Sequence, residues 1–309
     1  MPEPIKPPAL QPGAQVYVAS PASPAEPGQL ERGLEELRRL GYRAAPRRSD
    51  SNAQGYFARP LDDRVGEFEA ALERPEWRAV FCLRGGYGST YLLDRFDLPS
   101  RSAPKIVLGY SDITSVQVFL WQKRGWVTFY GPMVAAGFDA GPAGYDVDTF
   151  LRAVTETRSG WSVCLQGEPL FAGEAEGVLL GGCLTLLETT LGTPWELDTA
   201  GSILLLEDRA IKPYQFDRAL MHLKQAGKLK DVRAIVLGEF PESQPPVAGG
   251  PTVQEVARRI LLESRVPVVW GAAVGHTSRP MLTIPLGVRA RLRAAANPQL
   301  DILEPAVTA

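Results

Sequence analysis

The chain is predicted to be an α/β protein with a parallel sheet in its N-terminal part and a smaller mixed α/β unit with a β-rich tail behind it. Three observations carry that expectation. Short apolar strands alternate with amphipathic helices through the first half, the pattern of a parallel sheet with right-handed crossovers. The glycine-rich stretch Gly137 to Gly144 breaks the alternation. From Met281 onward the helices give way to short β segments separated by Gly287 and an Asn297-Pro298 turn. At about 150 residues per domain, 309 residues suit two domains. The breaks place them at 1–138 and 171–309, with 139–170 as an irregular connection.

Val16 to Ser20 reads as the first strand, ending at the Pro/Ser/Ala loop 21–27. Gln29 to Leu40 follows as a helix, with Leu30, Leu34 and Leu37 on one face and Gly41 past its end. Tyr42 to Ala45 is the second strand and Asp62 to Glu73 the second helix. Ala79 to Leu83 is the third strand, running into Arg84-Gly-Gly-Tyr-Gly88. Lys105 to Gly109 is the fourth, followed by a helix from Asp112 to Arg124 and a strand from Val127 to Tyr130. This order describes a flavodoxin- or Rossmann-like domain. The second half continues with strand Gly177 to Leu180, helix Leu184 to Leu191, strand Ile203 to Leu206 and helix Tyr214 to Ala226. Strand Ala234 to Leu237, helix Thr252 to Ser264 and strand Val266 to Val274 complete it, and the proline-rich Pro241 to Pro251 must be a loop.

Composition narrows the function classes. Thirty-three basic against 35 acidic residues give no electrostatic argument for nucleic acid or an anionic membrane as partner. The basic run Arg43, Arg47, Arg48 reads as a solvated edge. Cys82, Cys164 and Cys183 form neither a CxxC pair nor a disulfide framework, so buried apolar thiols in a reducing cytoplasm are expected. The N-terminal segment has no apolar core of a secretory signal, and no apolar run reaches the ~18 residues of a membrane span. With two histidines in the chain, imidazole chemistry rests on His222 or His276. Two distant histidines without an HExxH pattern give a metal centre little support.

Four places carry chemistry. Gly109-Tyr-Ser-Asp-Ile113 joins an apolar strand directly to a helix, a turn that exposes a serine hydroxyl and offers orphan N–H groups to an oxyanion. From these residues alone, Ser111 reads first as a helix N-cap with Asp112 in the first turn, and a nucleophile is the alternative. Arg84-Gly85-Gly86-Tyr87-Gly88 lies at the same carboxyl edge of the sheet. Its backbone can approach a substrate and supply a second oxyanion N–H beside that of Asp112, or serve as a phosphate loop or a plain tight turn. His222 falls off the buried stripe of its helix and reads as a surface residue, whereas His276 sits in the polar loop Gly275 to Pro280, either catalytic or structural. Glu207, at the end of an apolar strand, can orient a histidine or pair with Arg209 or Arg218.

Together these segments resemble a known family. Arg84-Gly-Gly-Tyr-Gly88, Gly109-Tyr-Ser-Asp-Ile-Thr114, Thr128-Phe-Tyr-Gly-Pro-Met133, Gly181-Gly-Cys-Leu184 and Leu191-Gly-Thr-Pro194 recur in order. So do Leu206-Glu-Asp208, Pro213-Tyr-Gln-Phe-Asp-Arg218, Gly275-His276 and Pro285-Leu-Gly287. Over nearly its full length the chain resembles the serine LD-carboxypeptidases, which include muramoyltetrapeptide carboxypeptidases and microcin C immunity peptidases. The resemblance implies a Ser111–His276–Glu207 triad, an oxyanion hole from the N–H groups of Asp112 and the Gly85-Gly86 turn, and no cofactor or metal. It further implies a cytoplasmic homodimer that releases D-alanine from muropeptide tetrapeptide stems in cell-wall recycling. A microcin-type enzyme would instead cleave a peptidyl-nucleotide and need an aromatic platform, for which Trp161 is the candidate. Arg84 and Tyr87 are expected to contact substrate, Arg84 alternatively forming a structural salt bridge. Two positions depart from the family pattern: Cys183 stands where asparagine is usual, and Ile211 near a place where many members carry a second acid.

Overall fold

A computed structural model describes residues 1–45, 53–98 and 102–309. Arg47 and Arg48 of the basic run lie outside the described residues, while Arg43 is exposed at a strand start. In chain order the first elements are β1 (Gln15–Ala19), α1 (Gln29–Arg39), β2 (Arg43–Ala45), α2 (Leu61–Glu73), β3 (Ala79–Cys82), β4 (Ile106–Gly109), α3 (Thr114–Arg124) and β5 (Thr128–Tyr130). Then come α4 (Val147–Thr155), β6 (Trp161–Cys164), β7 (Glu168–Phe171), β8 (Gly173–Cys183), α5 (Leu184–Thr189), β9 (Ser202–Glu207) and α6 (Pro213–Gln225). The last are β10 (Ala234–Leu237), α7 (Val253–Leu261), β11 (Val268–Trp270), β12 (Ile284–Leu286), β13 (Arg289–Ala294) and β14 (Gln299–Ile302).

The alternation of the first half produces the expected parallel sheet, with order β12-β5-β4-β3-β1-β2. β3 and β4 are apolar and buried along their whole length, as strands covered on both faces require. The edge strand β12 comes from far down the chain and pairs antiparallel with β5, Ile284 opposite Tyr130 and Leu286 opposite Thr128. The second sheet has eight strands in the order β6-β14-β13-β8-β9-β10-β11-β7. Its centre, β8-β9-β10-β11, is parallel, and antiparallel strands flank it on both sides. The α/β class is therefore as the sequence implies.

Several segments differ from expectation. The stretch read as an irregular connection carries α4, capped by the Asp146 carboxylate accepting from Thr149 N–H at 2.8 Å, and the two edge strands β6 and β7. The long apolar run 266–274 yields only the short strand β11, because Gly271 turns into the left-handed region at φ 73°. In β6, Trp161 and Val163 point inward while Ser162 and Cys164 face out. Cys164 is thus exposed, whereas Cys82 and Cys183 are buried as expected. No helix among the described residues is long and apolar enough to cross a membrane.

Candidate active site

The carboxyl edge of the first sheet meets the carboxyl end of β9 across a cavity of about 520 Å³. Arg84, Gly85, Gly86, Ser111 and His276 all line it. Ser111 opens a 3₁₀ turn, Ser111–Ile113, between β4 and α3. Its φ of 63° is in the left-handed region, a strained conformation for a residue with a side chain. The strain turns the chain sharply enough to leave the hydroxyl at the cavity wall with the helix start behind it. An N-cap serine would accept from the following N–H groups; among the described residues the Ser111 hydroxyl makes no such bond, and the turn begins after Tyr110.

Glu207, the last residue of β9, is fully buried. Its Oε2 accepts from the main-chain N–H of His276 at 2.8 Å and lies 2.8 Å from His276 Nδ1. With an ionised carboxylate opposite it, Nδ1 carries the hydrogen, which leaves Nε2 as the basic nitrogen. The other oxygen, Oε1, accepts from the Tyr130 hydroxyl at 2.5 Å, and that hydroxyl accepts from Ser111 N–H at 3.2 Å. One tyrosine therefore links the serine's backbone on the first sheet to the carboxylate on the second. Gly275 makes the approach possible: it sits at φ 62°, and a Cβ there would run into the Glu207 carboxyl group. The alternative salt bridges fail, since Arg209 pairs with Glu242 and Arg218 makes no ion pair among the described residues.

The electrostatics follow from burial and charge. Burial favours neutral His276, but the Glu207 carboxylate and its hydrogen bond, with Asp208 behind them, outweigh that and hold the imidazole above its ordinary pKa. Tyr130 is pushed well up by burial and by Glu207, so its phenol stays protonated as a donor. If His276 must be neutral to act, activity falls as pH drops through its raised pKa. The acidic limb of kcat/KM is expected above the ordinary imidazole value, which a pH–rate profile measures.

The glycine loop is fixed from three sides. Asp112, itself buried, accepts from Ser89 N–H at 2.8 Å, and the Ser89 hydroxyl donates to the Asp112 carbonyl. Ser23 donates to Gly85 O at 3.1 Å and accepts from Tyr87 N–H at 3.1 Å. Below the loop, buried Arg64 donates to the carbonyls of Pro21 and Gly88 at 2.6 and 2.8 Å. Gly86 takes φ 97°, and any Cβ there would strike the Ser23 hydroxyl. A Cβ on Gly85 would stand 3.1 Å from Ser111 Cβ, 3.3 Å from its Oγ and 3.4 Å from Asp112 N. That small space beside the serine and the Asp112 amide is the place the family resemblance assigns to a tetrahedral oxyanion. Gly85→Ala fills it without needing an unusual φ. We expect about a 10²–10³-fold loss of kcat, the scale of a lost oxyanion donor, with unchanged melting temperature. A variant within threefold of wild type would put the oxyanion elsewhere.

The other expected residues divide. Arg84 lines the cavity and also leans on the surface, donating to Pro24 O at 2.9 Å and lying 3.6 Å from the Glu26 carboxylate. Tyr87 does not line the cavity; its ring belongs to an exposed aromatic cluster with Tyr56, Phe57 and Tyr91. His222 is half exposed on α6 and lies 2.9 Å from Glu188. Trp161 is packed into the core by β6 and presents no open face. Cys183 is buried at the cavity wall, its N–H donating to Thr114 Oγ1 at 3.0 Å. Tyr130 and Arg64 had no role in the sequence reading, because a strand-end tyrosine and a helical arginine look like core and surface. Among the described residues, no three His, Cys, Asp or Glu side chains cluster as a metal site.

The profile of the LD-carboxypeptidase N-terminal domain matches residues 16–131, and that of the LD-carboxypeptidase C-terminal domain matches residues 176–292. The chain belongs to the LD-carboxypeptidase family. It is a serine-type carboxypeptidase acting on a peptide substrate. A probable murein peptide carboxypeptidase of Bacillus subtilis is 35% identical over 300 residues, covering 94% of this chain and 92% of the relative. The microcin C7 self-immunity protein MccF of Escherichia coli is 28% identical, covering 88% of this chain and 87% of that protein. The solved structure of a muramoyltetrapeptide carboxypeptidase from Oxalobacter formigenes superposes with a TM-score of 0.81 at 31% identity, covering 94% of this chain and 99% of that one. MccF in complex with glutamyl sulfamoyl guanosine superposes with a TM-score of 0.90 at 25% identity, over 99% and 100% of the two chains.

Proposed function

We propose that this LD-carboxypeptidase hydrolyses the L,D-peptide bond of muropeptide tetrapeptide stems and releases the terminal D-alanine, in cytoplasmic recycling of the cell wall. The observation that carries this reading is the buried Glu207 bonded to His276, whose ring faces the cavity that Ser111 lines. In this reading His276 Nε2 takes the Ser111 proton as the oxygen attacks the scissile carbonyl. The N–H of Asp112 and the Gly85-Gly86 turn hold the resulting oxyanion. The imidazolium, steadied by Glu207, then gives its proton to the departing D-alanine amine. Water, deprotonated by the same imidazole, cleaves the acyl-serine ester and restores the enzyme.

The similarity to the murein and muramoyltetrapeptide carboxypeptidases named above supports a muropeptide substrate. A peptidyl-nucleotide would need a flat aromatic surface for its base, and the buried Trp161 offers none. The test is direct: supply a tetrapeptide stem and a peptidyl-nucleotide side by side and measure release of D-alanine and of nucleotide. Faster nucleotide release would overturn the muropeptide reading. His222→Ala in the same assay is expected to stay within twofold of wild type, since its side chain is half exposed on α6 and pairs only with Glu188. A large loss would make His222 the working imidazole.

A further inference from the structure

His276 is followed by Thr277, Ser278 and Arg279, a stretch whose shape the main chain alone does not set. Among the described residues, no hydrogen bond between main-chain groups involves 275–280. The amides of this segment donate to side chains instead. His276 N–H reaches Glu207 Oε2, Ser278 N–H reaches Glu239 Oε2 at 2.9 Å, and Arg279 N–H reaches Thr277 Oγ1 at 3.1 Å. A loop without a ladder takes its conformation from the side chains that satisfy its polar groups.

Glu239 makes most of these contacts. It stands two residues past β10, largely buried and outside the wall of the catalytic cavity. Gly238 brings it there: its N–H donates to Leu206 O at 2.9 Å, and a Cβ on it would stand 2.6 Å from Glu207 Cβ. Neighbouring strand ends therefore present two carboxylates to consecutive parts of one loop, Glu207 to His276 and Glu239 to 277–279. Besides the Ser278 amide, the Glu239 carboxylate accepts from the Ser278 hydroxyl at 2.8 Å, from Arg279 Nε at 2.6 Å and from the Thr277 hydroxyl. Those bonds occupy the roughly four acceptor positions of a carboxylate. Burial alone would raise the Glu239 pKa, but hydrogen bonds from Ser278, Thr277 and Arg279 hold it below its ordinary value. Arg279 extends the brace, its two Nη atoms donating to the carbonyls of Gln166 and Gly271.

Resting on the reading of His276 as the base, we propose that Glu239 is a positioning residue for the hydrolysis. Through Thr277, Ser278 and Arg279 it fixes the backbone that carries His276, and so holds the imidazole between Glu207 and the cavity that Ser111 lines. Because Glu239 does not line that cavity, its removal acts on kcat and leaves KM alone.

The experiment compares wild type with Glu239→Ala and Thr277→Val in two measurements. One is kcat and KM for D-alanine release from a tetrapeptide stem. The other is the proton NMR signal of His276 Nδ1–H, which a hydrogen bond to a carboxylate moves far downfield. With two histidines in the chain, His222, half exposed on α6, is the internal reference. Glu239→Ala is expected to lower kcat by about 10–10²-fold, the scale of a misplaced catalytic group, with KM unchanged. The downfield signal broadens or disappears while the His222 ring signals stay in place. Thr277→Val keeps the side chain's shape and removes one bond to Glu239, so the same pattern is expected at about threefold or more in kcat; it decides alone if Glu239→Ala fails to fold. An unchanged downfield signal in the folded variant overturns the proposal, whatever the melting temperature does, as does an unchanged kcat or a loss carried by KM. A wild type that cleaves no tetrapeptide overturns the muropeptide reading, and the NMR comparison then still decides the role of Glu239.

Discussion

Ser111→Ala is expected to lower D-alanine release from a tetrapeptide stem by about 10⁴-fold or more, the scale seen when a triad nucleophile is removed. The variant should keep its fold and most of its substrate affinity. The backbone turn at residue 111 is held from outside the side chain, by Tyr130 on its N–H, so losing the hydroxyl removes the attacking oxygen and little else. The N–H groups proposed as oxyanion donors and the cavity remain, so the residual activity should still exceed that in water. Single-turnover measurement of wild type and variant, each with and without a chelator, checks this. Unchanged release in the variant would remove Ser111 from its role. Loss of wild-type activity with chelator would point to a metal instead.

Glu207→Gln is expected to cost about 10²–10⁴-fold in kcat, by analogy with neutralising the acid of a Ser-His-Asp triad. Its amide can keep an oxygen toward the two N–H groups of His276 while its NH₂ faces Tyr130, so the geometry can survive. What is lost is the negative charge that stabilises the imidazolium. The pH profile separates this from misfolding. Without Glu207 to oppose burial, the His276 pKa drops, and the acidic limb moves to lower pH as the maximum rate falls. A limb that stays in place would mean that Glu207 supports the fold rather than the base.

Much of this site was legible because its residues occupy positions that the chain marks plainly. Ser111 lies where an apolar strand passes into a helix with no intervening loop, and Glu207 where another apolar run stops. His276 stood out because the second histidine falls on a helix surface, and the family motifs lifted all three from alternatives to an ordered set. Tyr130 was not legible. It ends an apolar strand, and nothing in a strand pattern says that its hydroxyl reaches two partners, one of them on another sheet. The placement of β12 was also hidden, since edge pairing between distant segments leaves no local periodicity. The exposed Cys164 was readable in principle. The alternation Trp-Ser-Val-Cys turns it outward, and the expectation of burial came from residue type instead of that period.

The route of the chain around His276 has a mechanical consequence. Upstream, β11 anchors the histidine segment in the second sheet; downstream, β12 anchors it in the first, and Met281 O receives the N–H of Asp146 at 2.9 Å on the way. The imidazole thus rides on a strap fastened at both ends to different bodies. Pulling the sheets apart would have to strip β12 from β5 before the histidine could travel with its own sheet. An N-terminal fragment made alone would bare the β5 edge to pairing with other chains. Both bodies must be present for that edge to close and for His276 to be held at the cavity that Ser111 lines.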